Sequence, residues 1–251
     1  MKQDLQLIEE KKPLIHNITN YVAMNFVANC LLAIGASPIM ARASEEVEEI
    51  SANCDALALN LGILEKESIK AMKIAGVAAK QKDIPIVLDV VGVGATSFRM
   101  QAATEIISIC HPTVIKGNAS EIKSLYAHQV NKVEIDSSVE STEIKEQAML
   151  LAKKLSCIIV VTGSTDIITD GIDIEYVTLG HPMMRKVTAM GCAATGIIAA
   201  FLSIDNRSLS ACVHAMQTIG TAGERTAAIS KGNGSMMINF LDELCNLSCY
   251  E

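Results

Sequence analysis

The stretch ALALNLGILEKESIKAMKIAGVAAKQKDIPIVLDVVG, residues 56–92, decides the fold. It holds two short, nearly continuous apolar runs, ALALNLG (56–62) and IPIVLDVVG (84–92). Between them lies LEKESIKAMKIAGVAAKQKD, whose apolar residues recur at helical spacing. Runs that are apolar at every position, rather than alternating, read as strands covered on both faces. The intervening period places one greasy stripe of a helix against them. A strand, a helix and a second strand of this kind form a parallel unit.

The same grammar continues outward. PTVIKGN (112–118) and CIIVVTG (157–163) are further buried strands, and SFRMQAATEIISIC and STEIKEQAMLLAKKL are further helices. In DIITDGIDIEYVTLG an Asp-Gly pair separates two alternating runs, which signals a hairpin and hence an antiparallel edge. Beyond Met190 the pattern is helical over 192–204, over 208–229 and from about 235. AHQVNKVEIDSSVEST (127–142) reads as an exposed loop. The expectation is an α/β fold with three α/β/α layers around a mostly parallel central sheet, organised as a single domain over residues 1–251.

Composition narrows the function classes. Half of the 251 residues are hydrophobic but only 3% are aromatic, so the interior must be filled by Ala, Val, Ile, Leu and Met. The net charge of −7 comes with scattered Lys and Arg, which argues against a nucleic-acid partner. No long uncharged apolar run or apolar leader core is present, so a cytoplasmic protein without a membrane partner is expected. Of the eight cysteines, Cys30, Cys54, Cys110, Cys157 and Cys212 lie in apolar stretches and read as reduced core residues; no CxxC pair suggests zinc. Cys245 and Cys249 read as part of a terminal helix.

In parallel sheets ligands gather beyond the carboxyl ends of strands, which directs attention to Gly62, Asp89, Lys116, Asn118, Thr162 and Gly163. Asp89 stands near the end of a buried strand, where a carboxylate needs a partner cation or metal; capping of the next helix is the alternative. Asn118 followed by Glu121 has the form of a capping box, a role compatible with ligand binding. Neither a P-loop nor a complete dinucleotide fingerprint occurs. Asn20 reads as the cap of a helix running to about Ile34, His16 as a hydrogen-bonded structural histidine, and Met40 as core. In RKVTAMGCAATGIIAAFL (185–202), a helix from about Gly191 would aim free N–H groups at an anion. That field should lower the Cys192 thiol pKa and let Cys192 accept a proton, unless it is merely a small residue in a tight turn.

Together these segments carry a resemblance. PLIHNITNYV, GASPIM, NLGIL, PIVLDVVGVGAT, VIKGNASEI, VVTG, DIITDG and KVTAMGCAATGIIAAF occur in the order and approximate spacing seen in hydroxyethylthiazole kinases of the ribokinase-like superfamily, from about Pro13 to Phe240. The resemblance implies ATP- and Mg²⁺-dependent phosphorylation of the hydroxyl of 4-methyl-5-(2-hydroxyethyl)thiazole in thiamin salvage. It implies that Asn20, Met40 and Ala189 line the thiazole pocket, that Lys116 and Thr162 bind nucleotide, and that Asp89 with the Asn118/Glu121 pair manages Mg²⁺ and phosphates. Gly191 joins the nucleotide set at the helix start, Cys192 stands where relatives have a catalytic Asp, and a homotrimer with sites at subunit boundaries is implied. Two departures stand out: Val90 replaces the usual Pro after Asp89, and Ala189-Met190 replaces Gly-x. Met190 is expected to add bulk beside the substrate, and Ala189 to resist positive φ. The departures keep two alternatives open, a same-fold kinase for another small alcohol such as a hydroxymethylpyrimidine, and a non-catalytic binding paralogue.

Overall fold

A computed structural model of the chain describes residues 1–130, 144–205 and 208–249. It contains strands β1 (Leu14–Ile18), β2 (Ser37–Ile39), β3 (Ala56–Asn60), β4 (Ile86–Asp89), β5 (Val114–Asn118), β6 (Ile158–Thr162), β7 (Asp166–Thr169) and β8 (Ile174–Val177). The helices are α1 (Lys2–Lys11), α2 (Met24–Ala33), α3 (Val47–Asn53), α4 (Lys66–Gln81), α5 (Ser97–Cys110), α6 (Ala119–Val130), α7 (Ile144–Leu155), α8 (Met190–Ile204), α9 (Leu209–Ile229) and α10 (Asn233–Cys249), with a 3-10 turn at Pro182–Lys186.

The eight strands form one sheet in the order β2-β1-β3-β4-β5-β6-β7-β8. Pairing is parallel from β2 to β6 and antiparallel at β6–β7 and β7–β8, so the edge expected from Asp170-Gly171 is present. The chain leaves β1 on one side to make β2 and returns on the other to make β3, which creates a topological switch point between β1 and β3.

Side-chain alternation splits the interior into two cores. Ala56, Ala58, Val87, Val114, Ile158 and Val160 face the layer that includes α1, α2, α8, α9 and α10. Leu57, Leu59, Ile86, Leu88, Ile115, Ile159 and Val161 face α3 to α7. The small alanines of β3 lie where α8 packs on the sheet, and α8 itself is buried along most of its length. Its Gly196 faces Val27 and Leu31 of α2, where an added Cβ would come within 3.1 Å of Val27.

Several expectations need adjustment. Residues 127–130 complete α6 rather than opening a loop, and 131–142 lie outside the described residues. Helix α2 begins at Met24 after a turn, although Asn20 Oδ1 does accept the Ala23 N–H at 3.1 Å. The five core cysteines are buried free thiols. Among the described residues no helix is long and apolar enough to cross a membrane.

Candidate functional site

The two-residue period of the strands carries the apolar row facing α8 on to a polar one. Asn60, Asp89 and Lys116 are register partners on β3, β4 and β5, and each continues the face that Ala58, Val87 and Val114 begin. Asp89 and Lys116 are only 1% and 3% exposed. Their side chains meet at 2.9 Å between Lys116 Nζ and Asp89 Oδ2. The same oxygen accepts Asn60 Nδ2 at 2.9 Å and Thr195 Oγ1 of α8 at 2.8 Å. A carboxylate this deep is tolerated because a cation and two further donors replace its water.

Asn60 extends the network to the switch point. Its Oδ1 accepts the Gly62 N–H and Asn20 Nδ2, both at 2.9 Å, and Asn20 Nδ2 also reaches Cys192 Sγ at 3.6 Å. Gly62 leaves room for this junction: a Cβ there would stand 2.6 Å from Asn20 Nδ2. Arg99 of α5 steadies the two loops above, its guanidinium donating to the carbonyls of Leu61, Gly62 and Val91.

Helix α8 ends this row. Ala193 N–H is bonded back to Ala189 O at 2.8 Å, which leaves the N–H groups of Met190, Gly191 and Cys192 without intrahelical acceptors. Ala189 at the N-cap supplies no side-chain cap. Gly191 is exposed, and a Cβ built on it would lie 3.8 Å from Lys116 Nζ, so the cation and the uncapped helix start face one place. Partial positive charge and an ammonium group converging in this way suit an anion.

Glu121 serves the neighbouring loop. Its Oε1 accepts the Gly92 N–H and its Oε2 the Asn118 N–H, both at 2.7 Å, while Asn118 Oδ1 accepts the Glu121 N–H at 3.0 Å. The capping box is therefore complete, and Glu121 also holds Gly92 at φ +67°, a conformation that glycine takes without strain. On β6, Thr162 Oγ1 donates to Gly117 O at 3.5 Å. Asp166 of β7 accepts the Gly163 N–H at 2.8 Å, and burial pushes its carboxyl up to about 6, against the pull of that bond and of Lys116.

Three sequence expectations change. Cys192 is held as a thiol, because burial and then the Asp89 carboxylate push its pKa up more than Lys116 and the bonds from Asn20 and Asn60 lower it. Met190, the first residue of α8, packs into the core instead of adding bulk beside the substrate. Ala189 adopts φ 65°, the left-handed region, despite its Cβ. Val90 has its own use: its N–H donates to Lys116 O at 2.9 Å, a bond that proline could not make. His16 is structural as expected, with ring nitrogens on Ser51 Oγ and Ala41 O, and burial lowers its pKa. Met40 is partly buried against the same core as α8.

Sequence reasoning missed Asn60, Thr195 and Arg99. Asn60 carried a readable signal, an amide at the polar end of a fully apolar run. Thr195 carried none, since its partner is 106 residues away.

Comparison with known proteins places the chain in a family. The family model described as the hydroxyethylthiazole kinase family matches residues 5–249. A hydroxyethylthiazole kinase from Desulfotalea psychrophila is 46% identical, covering 98% of this chain and 90% of the relative. One from Thermoanaerobacter pseudethanolicus is 45% identical over 98% and 94%. The solved structure of a hydroxyethylthiazole kinase protein from Pyrococcus horikoshii OT3 superposes with a TM-score of 0.89 at 36% identity, covering 98% and 92%. A ribokinase-like superfamily protein from Enterococcus faecalis shares the fold alone, with a TM-score of 0.68 at 13% identity over 99% and 94%.

The state of Asp166 sets a pH dependence. Its folded pKa lies above the ordinary 3.8, so the ionised form is disfavoured by folding. The stability linked to its protonated form is complete below pH 3.8 and lost as pH rises through about 6. Asp166→Asn, which can still accept the Gly163 N–H, should match the parent in thermal stability near pH 4 and exceed it above pH 6, by at most about 3 kcal/mol. A melting-temperature difference constant from pH 4 to pH 8 contradicts this.

Proposed function

This chain belongs to the hydroxyethylthiazole kinase family, and we propose that it transfers the γ-phosphoryl group of ATP to the hydroxyl of 4-methyl-5-(2-hydroxyethyl)thiazole. The observation that carries the reading is the convergence of Lys116 Nζ on the uncapped start of α8 at the switch point of a parallel sheet. Phosphoryl transfer asks a protein for alignment and for positive charge around the migrating group. Lys116 and the N–H groups of Met190, Gly191 and Cys192 supply that charge without rearrangement. Gly191, Asn118 and Thr162, with Lys116, would form the nucleotide side of the cleft.

Mg²⁺ fits the acidic residues present. Among the described residues no cluster of three metal-type ligands occurs, but Mg²⁺ in kinases needs only one or two carboxylates beside phosphate and water. Asp89 and Glu121 would hold it. Because Asp89 Oδ2 is occupied by Lys116 and each Glu121 oxygen takes a backbone N–H, they would do so largely through bound water. When bound, Mg²⁺ neutralises phosphate charge and orients the nucleotide.

Asn20, Met40 and Ala189 would form the alcohol side, with Cys192 between the two sides. A neutral thiol is a poor proton acceptor, so Cys192 would orient the substrate hydroxyl rather than deprotonate it. The chain would act as a single cytoplasmic kinase domain in thiamin salvage, assembled as a homotrimer. Assembly is supported beside the alcohol side, where Tyr21 and Val22 are 60% and 62% exposed and the buried atoms Thr19 Oγ1 and Arg42 Nη1 have no hydrogen-bond partner among the described residues. Arg42 stacks 4.1 Å above the Tyr21 ring, so an interface there would adjoin both Asn20 and Met40.

ATP consumption measured with Mg²⁺ against a panel of vitamin-precursor alcohols should show the thiazole alcohol as the preferred acceptor. Preference for a hydroxymethylpyrimidine, or binding without turnover, would refute the reading. In the same assay Cys192→Ala should keep a reduced kcat, down roughly tenfold, with the amides intact, and Cys192→Asp should keep or raise it. An unchanged kcat in Cys192→Ala assigns the cysteine to packing. Light scattering should give three chains per particle, and a fully active monomer would reject the assembly.

A further inference from the structure

We propose that Thr195 and Asn60 are positioning residues that act through Asp89, fixing its carboxylate so that Lys116 Nζ is delivered to the start of α8. The inference rests on the phosphoryl-transfer reading above and extends it to two residues that touch neither substrate in that reading.

An ion pair by itself sets a distance and little else. Here the three donors on Asp89 Oδ2 come from three elements: Lys116 from β5, Asn60 from β3 and Thr195 from α8. Donors arriving from separate directions triangulate the oxygen, and it can turn only by breaking one of them. Lys116, paired to that oxygen, is held with it.

The direction of each supporting group is itself determined. Asn60 Oδ1 already accepts two donors, Gly62 N–H and Asn20 Nδ2, so only its NH₂ end can face Asp89. Thr195 has one hydroxyl proton and two acceptors within reach: Gly191 O at 3.3 Å, the usual return bond of a helical threonine, and Asp89 Oδ2 at 2.8 Å. The ionised and closer acceptor takes the proton. This bond ties α8, one turn behind its free N–H groups, directly to β4. The separation between the two sources of positive charge, Lys116 and the helix start, is thereby set through Asp89.

Asn60 adds a second consequence. Through Asn20 it touches the alcohol side, and through Asp89 the phosphate side, so one amide spans the β1–β3 switch point. Losing either support should leave the alcohol pocket largely formed while misaligning the cation. The result should be a fall in kcat and a rise in the ATP KM with little change in the alcohol KM. A residue that only stabilised the fold would lower the melting temperature without producing that split.

The test uses Thr195→Val, which keeps shape and removes the hydroxyl, Thr195→Ser, which restores it, and Asn60→Asp, which keeps both acceptor bonds but sets a carboxylate against Asp89. Steady-state kinetics are run well below each variant's melting temperature, and ADP–Mg²⁺ affinity is measured by calorimetry without alcohol. Thr195→Val and Asn60→Asp should lose on the order of 10- to 100-fold in kcat with the alcohol KM within about threefold. They should bind ADP–Mg²⁺ about five- to tenfold more weakly, and Thr195→Ser should recover most of both losses. Thr195→Val retaining kcat within about twofold, or Thr195→Ser as impaired as Thr195→Val, overturns the proposal. If Thr195→Val does not fold, Asn60→Asp decides alone, and parental kcat in it overturns the proposal. The calorimetric arm needs no acceptor: a parent protein that binds nucleotide but ignores the thiazole refutes the substrate reading alone, while parental ADP affinity in Thr195→Val refutes the positioning one.

Discussion

The ion pair between Asp89 and Lys116, closed at 2.9 Å beneath α8, is the constraint on which the site depends. Neither charge could be left in that interior without the other, because an unpaired buried ion costs several kcal/mol. The pair therefore dictates its surroundings. Asn60 and Thr195 add two further donors to the same Asp89 oxygen, which replace the water that α8 excludes from the row. The buried ammonium group lies just behind the exposed Gly191, where an added Cβ would stand 3.8 Å from Lys116 Nζ. A charge held in a dry setting acts on a phosphate more strongly than the same charge in solvent.

The fold makes this pair possible by simple periodicity. Parallel strands in register bring Asn60, Asp89 and Lys116 side by side, and alternation places all three on the face that α8 covers. Small residues beneath α8, Ala56 and Ala58, sit on the same face of β3. The reversal of strand order between β1 and β3 then brings Asn20, just past the end of β1, against Asn60 of the row. Strand alternation, alanine packing and chain reversal thus converge at one end of the sheet, while Cys192 sits at their meeting point as a neutral thiol.

Much of this was legible in the sequence, for definable reasons. β3 to β6 announced themselves because strands buried on both faces must be continuously apolar, β7 and β8 through the Asp-Gly between two alternating runs, and α5 matched its segment because Thr96 caps it and accepts the Arg99 N–H. Helix α1, strands β1 and β2 and helix α3 were not read, since their short, polar-studded segments lack a clean period. Within the site, Asp89 and Lys116 were found separately as strand-end residues, but their pairing is tertiary and no spacing reveals it. The thiol of Cys192 was misjudged for a related reason. The helix start is a local feature visible in the sequence, whereas burial and the Asp89 charge arrive from elsewhere in the fold and outweigh it.

The central claim is that Asp89 and Lys116 form one unit, mutually required for stability and jointly required for transfer. A double-mutant cycle on Asp89→Asn and Lys116→Met, read by both denaturant unfolding and kcat, tests it directly. Lys116→Met, which strands the Asp89 charge, should cost about 3–5 kcal/mol, and the double variant should regain a large part of that stability while kcat stays at least about 100-fold down in all three. Stability losses that simply add, or a double variant with restored kcat, would contradict it.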